Sequence, residues 1–162
     1  MDFYVMALQQ SALGQLLDAS RNVAIALQVV HILAFTGVLA IVTVTLANVF
    51  DWVFTGRAAG ELVTALQGCY RGALLLALLS GALQSLPRLV TYTHNASFVW
   101  KQAFILLAII LQAVLHRRLL LEGQPQLEIA HPKEPWLNRA LAAAALGFWL
   151  LTAAAGRAIG FT

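Results

Sequence analysis

Charge is what this sequence has least of. Only 10% of its 162 residues are charged, 60% are hydrophobic, and the mean hydropathy is +0.80. A soluble domain carries about 25% charged residues, so this chain has too few to cover a surface that faces water. The composition argues against a soluble fold, a disordered chain and a nucleic-acid-binding protein. It predicts an integral membrane protein whose main partner is the lipid bilayer.

Cysteine and the motifs of soluble enzymes are also scarce. The single cysteine, Cys69, excludes an internal disulfide and any site built from several cysteines. The sequence has no G-x-S-x-G, no P-loop, no G-x-G-x-x-G and no H-E-x-x-H. We therefore do not expect the protein to be an enzyme on its own.

Long apolar segments are what the sequence does contain. A bilayer crossing needs about 20 mostly apolar residues, because each helical residue rises about 1.5 Å through a core about 30 Å thick. Four segments meet this requirement, at about residues 23–47, 62–86, 98–116 and 136–156. None has an acidic residue in its interior, which argues against a carboxylate-based pump or a sodium-coupled transporter. The sequence predicts an all-α, integral membrane four-helix bundle.

Two segments lie outside the predicted spans. Residues 3–20 are only moderately apolar and follow Asp2 rather than a basic stretch, so we expect a short interfacial helix and not a cleaved signal peptide. The longest polar stretch, residues 121–135, is predicted as the loop between the third and fourth spans. With no repeat and no long linker, residues 1–162 are predicted to form a single membrane domain.

The distribution of basic residues predicts the orientation. Four spans place both termini on one side of the membrane, which we call side A, and the opposite side is side B. Side B carries six basic residues and side A four: Arg57, Arg71, Arg117, Arg118, Lys133 and Arg139 against Arg21, Arg88, Lys101 and Arg157. The positive-inside rule then puts side B in the cytoplasm and both termini in the periplasm.

Histidines at membrane depth are the first candidates for chemistry, because titratable groups are costly there. His31 lies about 12 Å into the first span, on a face that it shares with Gln28 and Thr45. Three interpretations stay open for it: a hydrogen bond to a neighbouring helix, a haem or metal ligand, and a proton-carrying or quinone-binding group. His116 ends the third span before Arg117, and it is either a histidine at the interface or a second ligand.

Polar residues near side A complete the candidate site. Lys101 and Arg157 lie near the side-A ends of the third and fourth spans, Asn95 precedes the third span, and His94 lies in the loop before it. Lys101 and Arg157 either snorkel to the membrane edge or turn inward to meet something negative or electron-rich. The second possibility predicts a cationic cofactor-binding centre formed by these four residues and His31.

Several motifs occur in the order found in one known family. They are His31 in HILAFTG, Ser80-Gly81, Asn95-x-x-Phe98-x-x-Lys101, His116 and the closing GRAIGF at 156–161. The set resembles a bacterial family of four-helix membrane proteins of unknown function, over about residues 28–161. The resemblance implies the fold and a multi-pass location in the bacterial inner membrane, but no activity. The layout is more distantly similar to small membrane cytochromes b and to the membrane domain of copper-resistance protein D.

These likenesses suggest a b-type haem protein or another redox-associated subunit of an electron-transfer chain. A membrane haem is usually held by two histidines, and His31 and His116 are the first pair to consider, for haem or for a metal. Their depths differ by about 15 Å, however, whereas the two axial nitrogens of one haem are only about 4 Å apart. The alternative is two sites, His31 with His94 and His116 with His131.

Two further functions remain open at this stage. A largely aliphatic bundle suits a non-catalytic structural or assembly subunit, packed against other membrane subunits or in a homo-oligomer. Copper handling is the other, although Met1, Met6 and Cys69 are the only soft ligands in the chain. A quinone is a further possible partner of the side-A residues.

Overall fold

The computed structural model describes residues 2–56, 58–122 and 134–161, and in these ranges the protein is helical with no strand. Short 3₁₀ turns follow the fourth and the last α-helix, at Leu86–Arg88 and Ile159–Phe161. The α-helices in chain order are α1 (Asp2–Gln9), α2 (Ala12–Ala19), α3 (Arg21–Val49), α4 (Ala59–Ser85), α5 (Leu89–Thr93), α6 (Ala96–Glu122) and α7 (Pro135–Ala158).

Four of these helices, α3, α4, α6 and α7, are long and apolar enough to cross a membrane. They have 29, 27, 27 and 24 residues, which corresponds to about 36–44 Å of helix against a hydrocarbon core of about 30 Å. The four predicted spans and the all-α fold class are confirmed. Each helix continues beyond its predicted span at one end or both, and α6 extends six residues past the predicted end at residue 116.

The four long helices form a bundle in which α3 packs on α4, α4 on α6, α6 on α7 and α7 on α3. The most extensive contacts are within the antiparallel pairs α3/α4 and α6/α7, so the bundle consists of two hairpins side by side. The chain ends of α4 and α7 and the starts of α3 and α6 lie at side A. Most of the predicted loop at 121–135 falls outside the described residues.

The buried core is concentrated in the middle of the bundle and toward side B. On α3 no residue before Ala34 is buried, and on α6 none before Ala108. Two apolar clusters make up this core, one around Val38 and Trp149 and the other, nearer side B, around Leu46 and Leu115. The side-A ends of α3 and α6 are therefore less closely packed, whereas buried residues continue to Ser80 on α4 and to Ala155 on α7.

Polar contacts tie the helices together at side B. Arg118 Nε donates to Asn138 Oδ1 at 3.1 Å, and the amide of Asn138 donates in turn to the carboxylate of Glu122 at 2.8 and 3.0 Å. Arg139 pairs with Asp51 at 3.1 Å. These bonds link the end of α6 to the start of α7, and the start of α7 to the turn after α3.

The N-terminal segment differs from the single interfacial helix predicted for residues 3–20. The structure has two short helices, α1 and α2, because the chain turns at Ser11, whose hydroxyl accepts a hydrogen bond from Gly14 N at 3.2 Å. A Cβ on Gly14 would overlap the carbonyl oxygen of Gln9, so the turn needs glycine there. Both helices pack at side A against the segment 86–93, where Gln9 Oε1 accepts from Val90 N at 3.1 Å.

Candidate functional site

The imidazole of His31 is held by hydrogen bonds to α4. Its Nδ1 lies 2.9 Å from the carbonyl oxygen of Ala77 and 3.1 Å from Ser80 Oγ. A carbonyl oxygen only accepts, so Nδ1 carries the proton and donates. The Ser80 hydroxyl donates to Leu76 O at 2.6 Å, which leaves its oxygen free to accept from His31. In the neutral ring, Nε2 is then left as an acceptor.

Ser80 and Gly81 of α4 contact this ring and fix its position, and we call them the His31 contact pair. An ideal Cβ at Gly81 would lie 2.9 Å from His31 Cε1 and 3.3 Å from Nδ1, closer than side-chain atoms approach in proteins. On the helix of His31 itself, the ring of Phe35 stacks at 6.5 Å between centroids. The bond to a neighbouring helix, one of the three interpretations left open for His31, is therefore present, and it fixes which ring nitrogen is exposed.

Next to His31 is a cavity of about 830 Å³ between the two hairpins, in the side-A half of the bundle. All four long helices contribute to its wall. Four of the predicted cofactor-binding residues line it together: His31, Asn95, Lys101 and Arg157. The volume is in the range of pockets that enclose small organic ligands.

Two of the predicted cofactor-binding residues are outside this cavity. His94 is exposed at the C-terminus of α5 and does not line it. His116, predicted to be either an interfacial histidine or a ligand, lies far along α6 and is buried in the bundle, with 8% of its surface exposed. The reason is that α6 continues to Glu122, so that residue 116 is still inside the bundle.

The cavity is positively charged. Arg88, Lys101 and Arg157 line it, and no aspartate or glutamate of the described residues does. The Lys101 side chain lies along α7, with Cε and Nζ 3.6 Å from the point where Gly156 would carry a Cβ. Within the ranges that the structure describes, no carboxylate pairs with Lys101. Arg88 was not predicted as a site residue, because in the sequence it is one basic residue in a side-A loop.

The inner wall of the cavity is aromatic and contains one unused hydrogen-bond donor. Phe35 and Trp149 line it and meet edge to face at 5.9 Å between ring centroids. Trp149 is only 2% exposed, and its Nε1 has no hydrogen-bond partner in the described structure. Buried donors are nearly always satisfied, so this N–H is an exception among the described residues. No pattern in the sequence distinguished Trp149 from an ordinary core tryptophan.

His116 belongs to a separate polar cluster. Gln112 Nε2 donates to its Nε2 at 2.7 Å, and the ring of Tyr70 meets it edge-on at 5.2 Å between centroids. On α4, Tyr70 contacts His116 and Ala77 contacts His31. These two positions on α4 are separated by about 10 Å of helical rise. That separation does not fit two axial ligands of one haem.

The two alternative histidine pairs were His31 with His94 and His116 with His131. His94 does not reach the cavity, and His131 lies outside the described residues. Among the residues that are described, no group of three or more His, Cys, Asp or Glu side chains is arranged to hold a metal ion.

Comparison with known proteins places the chain in a family. Neither a search of the curated proteins nor a search of the solved structures found a match. The model of a family of unknown function, DUF6644, matches residues 9–162. This range includes all four long helices and every residue that lines the cavity. The chain belongs to this family of unknown function.

Proposed function

We propose that the protein is a small membrane protein that binds an anionic, amphipathic ligand in the side-A cavity. The observation that carries the proposal is the charge of the cavity: three cationic side chains and no carboxylate of the described residues line a space with apolar and aromatic walls. Among them Lys101 is partly buried beside Gly156 with no carboxylate of the described residues paired to it, and a partly buried cation is costly unless something negative offsets it. A ligand whose acidic group meets these side chains supplies that charge.

The chemistry of the wall limits which ligands fit. Arginine binds planar anions such as carboxylates and phosphates through two parallel N–H donors, and lysine acts as a compact positive charge. A quinone is neutral and offers only carbonyl oxygens, so it brings no negative charge to Lys101. A lipid phosphate and the propionates of haem each bring a negative charge that can lie beside Lys101.

Haem b is the second candidate, and the orientation of His31 favours it. Histidines that ligate a metal commonly donate their other ring N–H to a backbone carbonyl, as His31 Nδ1 does to Ala77 O. In that arrangement His31 would hold the haem iron through Nε2, and Lys101 and Arg157 would meet the propionates. The haem would supply one-electron chemistry, and such a protein would be a redox-associated subunit of an electron-transfer chain.

The location that we propose is the bacterial inner membrane, with both termini in the periplasm. The excess of basic residues at side B supports this orientation. The cavity then lies in the periplasmic half of the bilayer. Reporter fusions at Arg57 and at Gln124 are expected to report a cytoplasmic location; a periplasmic signal from both would reverse the orientation.

Calorimetric titration in a neutral detergent tests anion binding. We expect dodecyl phosphate to bind at least tenfold more tightly than zwitterionic dodecylphosphocholine, which has the same chain. Lys101→Met is expected to weaken dodecyl phosphate binding about tenfold or more. Arg117→Met is the matched control, because Arg117 is an exposed cation on the same helix that does not line the cavity. Equal affinities for the two amphiphiles would refute the proposal.

A visible absorption spectrum of the purified protein tests the haem candidate. Bound haem b gives a Soret band, with bands that sharpen on reduction, and both are expected to be lost in His31→Ala. A protein purified without these bands, and unable to acquire them when haem is added, would leave the anionic amphiphile as the ligand class and exclude haem.

A further inference from the structure

One row of residues on α3 belongs to both the cavity and the outer surface of the bundle. Gln28, Ile32 and Thr36 are four residues apart and so lie on one face of the helix. All three line the cavity, and all three are exposed, Ile32 to 54%. The cavity therefore reaches the outer surface along this face of α3.

The opposing row on α7 has little side-chain bulk. Ala153 and Gly160 line the cavity and are exposed, and Gly156 lies between them on the same side of the helix. The two helices meet at Phe35 and Trp149, which close the gap on its inner side. Together the α3 and α7 rows border an opening that we call the lateral slot, lined by Gln28, Ile32, Thr36, Ala153, Gly156 and Gly160.

The position of the lateral slot sets the kind of molecule that passes through it. From Gln28 to Thr36 it follows α3 for about 12 Å along the direction in which the helix crosses the membrane. It therefore faces the hydrocarbon layer and not water. The cations Lys101 and Arg157 lie at its side-A end, near the membrane surface, where the head groups of lipids lie.

We propose that the ligand is a phosphate-bearing acidic lipid that enters sideways from the bilayer through the lateral slot. Its phosphate lies against Lys101 and Arg157, and one hydrocarbon chain runs along the slot between α3 and α7. This inference rests on the proposed function and adds the ligand class and its route.

The physical reasons for a lipid phosphate are charge and shape. A phosphate monoester carries about one and a half to two negative charges at neutral pH, which is enough to offset the charge of Lys101. A hydrocarbon chain replaces bilayer lipid in the slot without exposing apolar surface to water. Haem, the alternative ligand, is a rigid macrocycle and would need no slot of this length beside its binding site.

The test is to block the slot while leaving the charged end intact. Ala153→Trp fills the slot from α7, and Thr36→Trp fills it independently from α3. Ala154→Trp is the matched control, because Ala154 is exposed, adjoins Ala153 and does not line the cavity. Binding of dioleoyl and of dihexanoyl phosphatidic acid is measured for each purified variant by titration in neutral detergent.

We expect both slot variants to bind the dioleoyl lipid at least tenfold more weakly than the parent, and the dihexanoyl lipid within about twofold of it. Ala154→Trp is expected to change neither affinity. Unchanged binding of the dioleoyl lipid by both slot variants would overturn the placement of its hydrocarbon chain in the slot, and with it lateral entry, while the proposed anion binding would stand. Failure of the parent to bind either lipid, or any other anionic amphiphile, would instead overturn the proposed function itself.

Discussion

Replacing Gly81 by alanine adds one methyl group at the His31 contact pair and tests whether the imidazole packs against α4 there. The new Cβ would lie 2.9 Å from His31 Cε1 and 3.3 Å from Nδ1, while ordinary contacts begin near 3.4 Å. The backbone of α4 is fixed by its helical hydrogen bonds, so the imidazole must move. It moves toward the cavity, which is the open side, and away from Ala77 and Ser80.

The cost follows from the bonds that are lost. A shift of about 0.5–1 Å stretches the 2.9 and 3.1 Å contacts of Nδ1 beyond useful hydrogen-bond length. Each such bond contributes about 0.5–1.5 kcal/mol, and crowding of a packed site costs about 1–3 kcal/mol. We expect the free energy of unfolding to fall by about 1–3 kcal/mol, although alanine is otherwise the better helix former by up to about 1 kcal/mol.

Two measurements check this prediction. Denaturation in mixed micelles gives the stability, and nitrogen NMR of labelled histidine shows whether His31 keeps the proton on Nδ1. Gly72→Ala is the control on the same helix, because no atom lies within 4 Å of the added methyl, and it is expected to be neutral or stabilising. If Gly81→Ala were as stable as Gly72→Ala and kept the parent tautomer, the described packing of His31 against α4 would be wrong.

Three other substitutions have defined outcomes. Gly156→Leu is expected to push the Lys101 side chain out of its position along α7 and to weaken anion binding in the same titration, whereas Gly156→Ala leaves room and keeps it. Tyr70→Phe removes a buried hydroxyl that has no partner in the described structure, so denaturation is expected to show a stability change of less than about 0.5 kcal/mol in either direction. Gly14→Ala is expected to separate α1 from α2 and so to increase proteolysis after Gln9, with the rest of the chain still folded.

The bundle was predictable from the sequence because the bilayer imposes a simple rule. A helix must be about 20 apolar residues long to cross, and four segments satisfied it. The ends of the helices were less accurate, since polar residues continue a helix beyond the hydrocarbon core without changing the apolar signal. The six extra residues of α6 are the clearest case, because with them His116 lies within the helix and is buried in the bundle instead of ending the span.

Part of the candidate site was also predictable. His31, Asn95, Lys101 and Arg157 were grouped by their depth and charge alone, and all four line one cavity. Depth specifies a level in the membrane but not a direction round the helix axis. The sequence therefore did not reveal that His94 faces away.

Other features of the site arise from contacts between helices, which no periodicity along one chain encodes. The bond from His31 to Ala77 O depends on how α3 and α4 face each other, and the edge-to-face contact of Phe35 with Trp149 depends on how α3 faces α7. The break at Ser11 was missed because residues 3–20 contain no proline and their glycine, Gly14, lies after the turn. Arg88 resembled an ordinary loop cation until the fold placed it at the cavity.

The most direct test of the account is the mass of the intact protein released from native membranes into the gas phase. The account predicts a complex with one anionic amphiphile, retained in Arg117→Met and largely lost in Lys101→Met. The masses of the ejected molecule and of its fragments identify it as a phosphate-bearing lipid or as haem. A parent protein that carries no ligand from the membrane, and that shows no preference for anionic over zwitterionic lipid when both are supplied, would contradict the central claim.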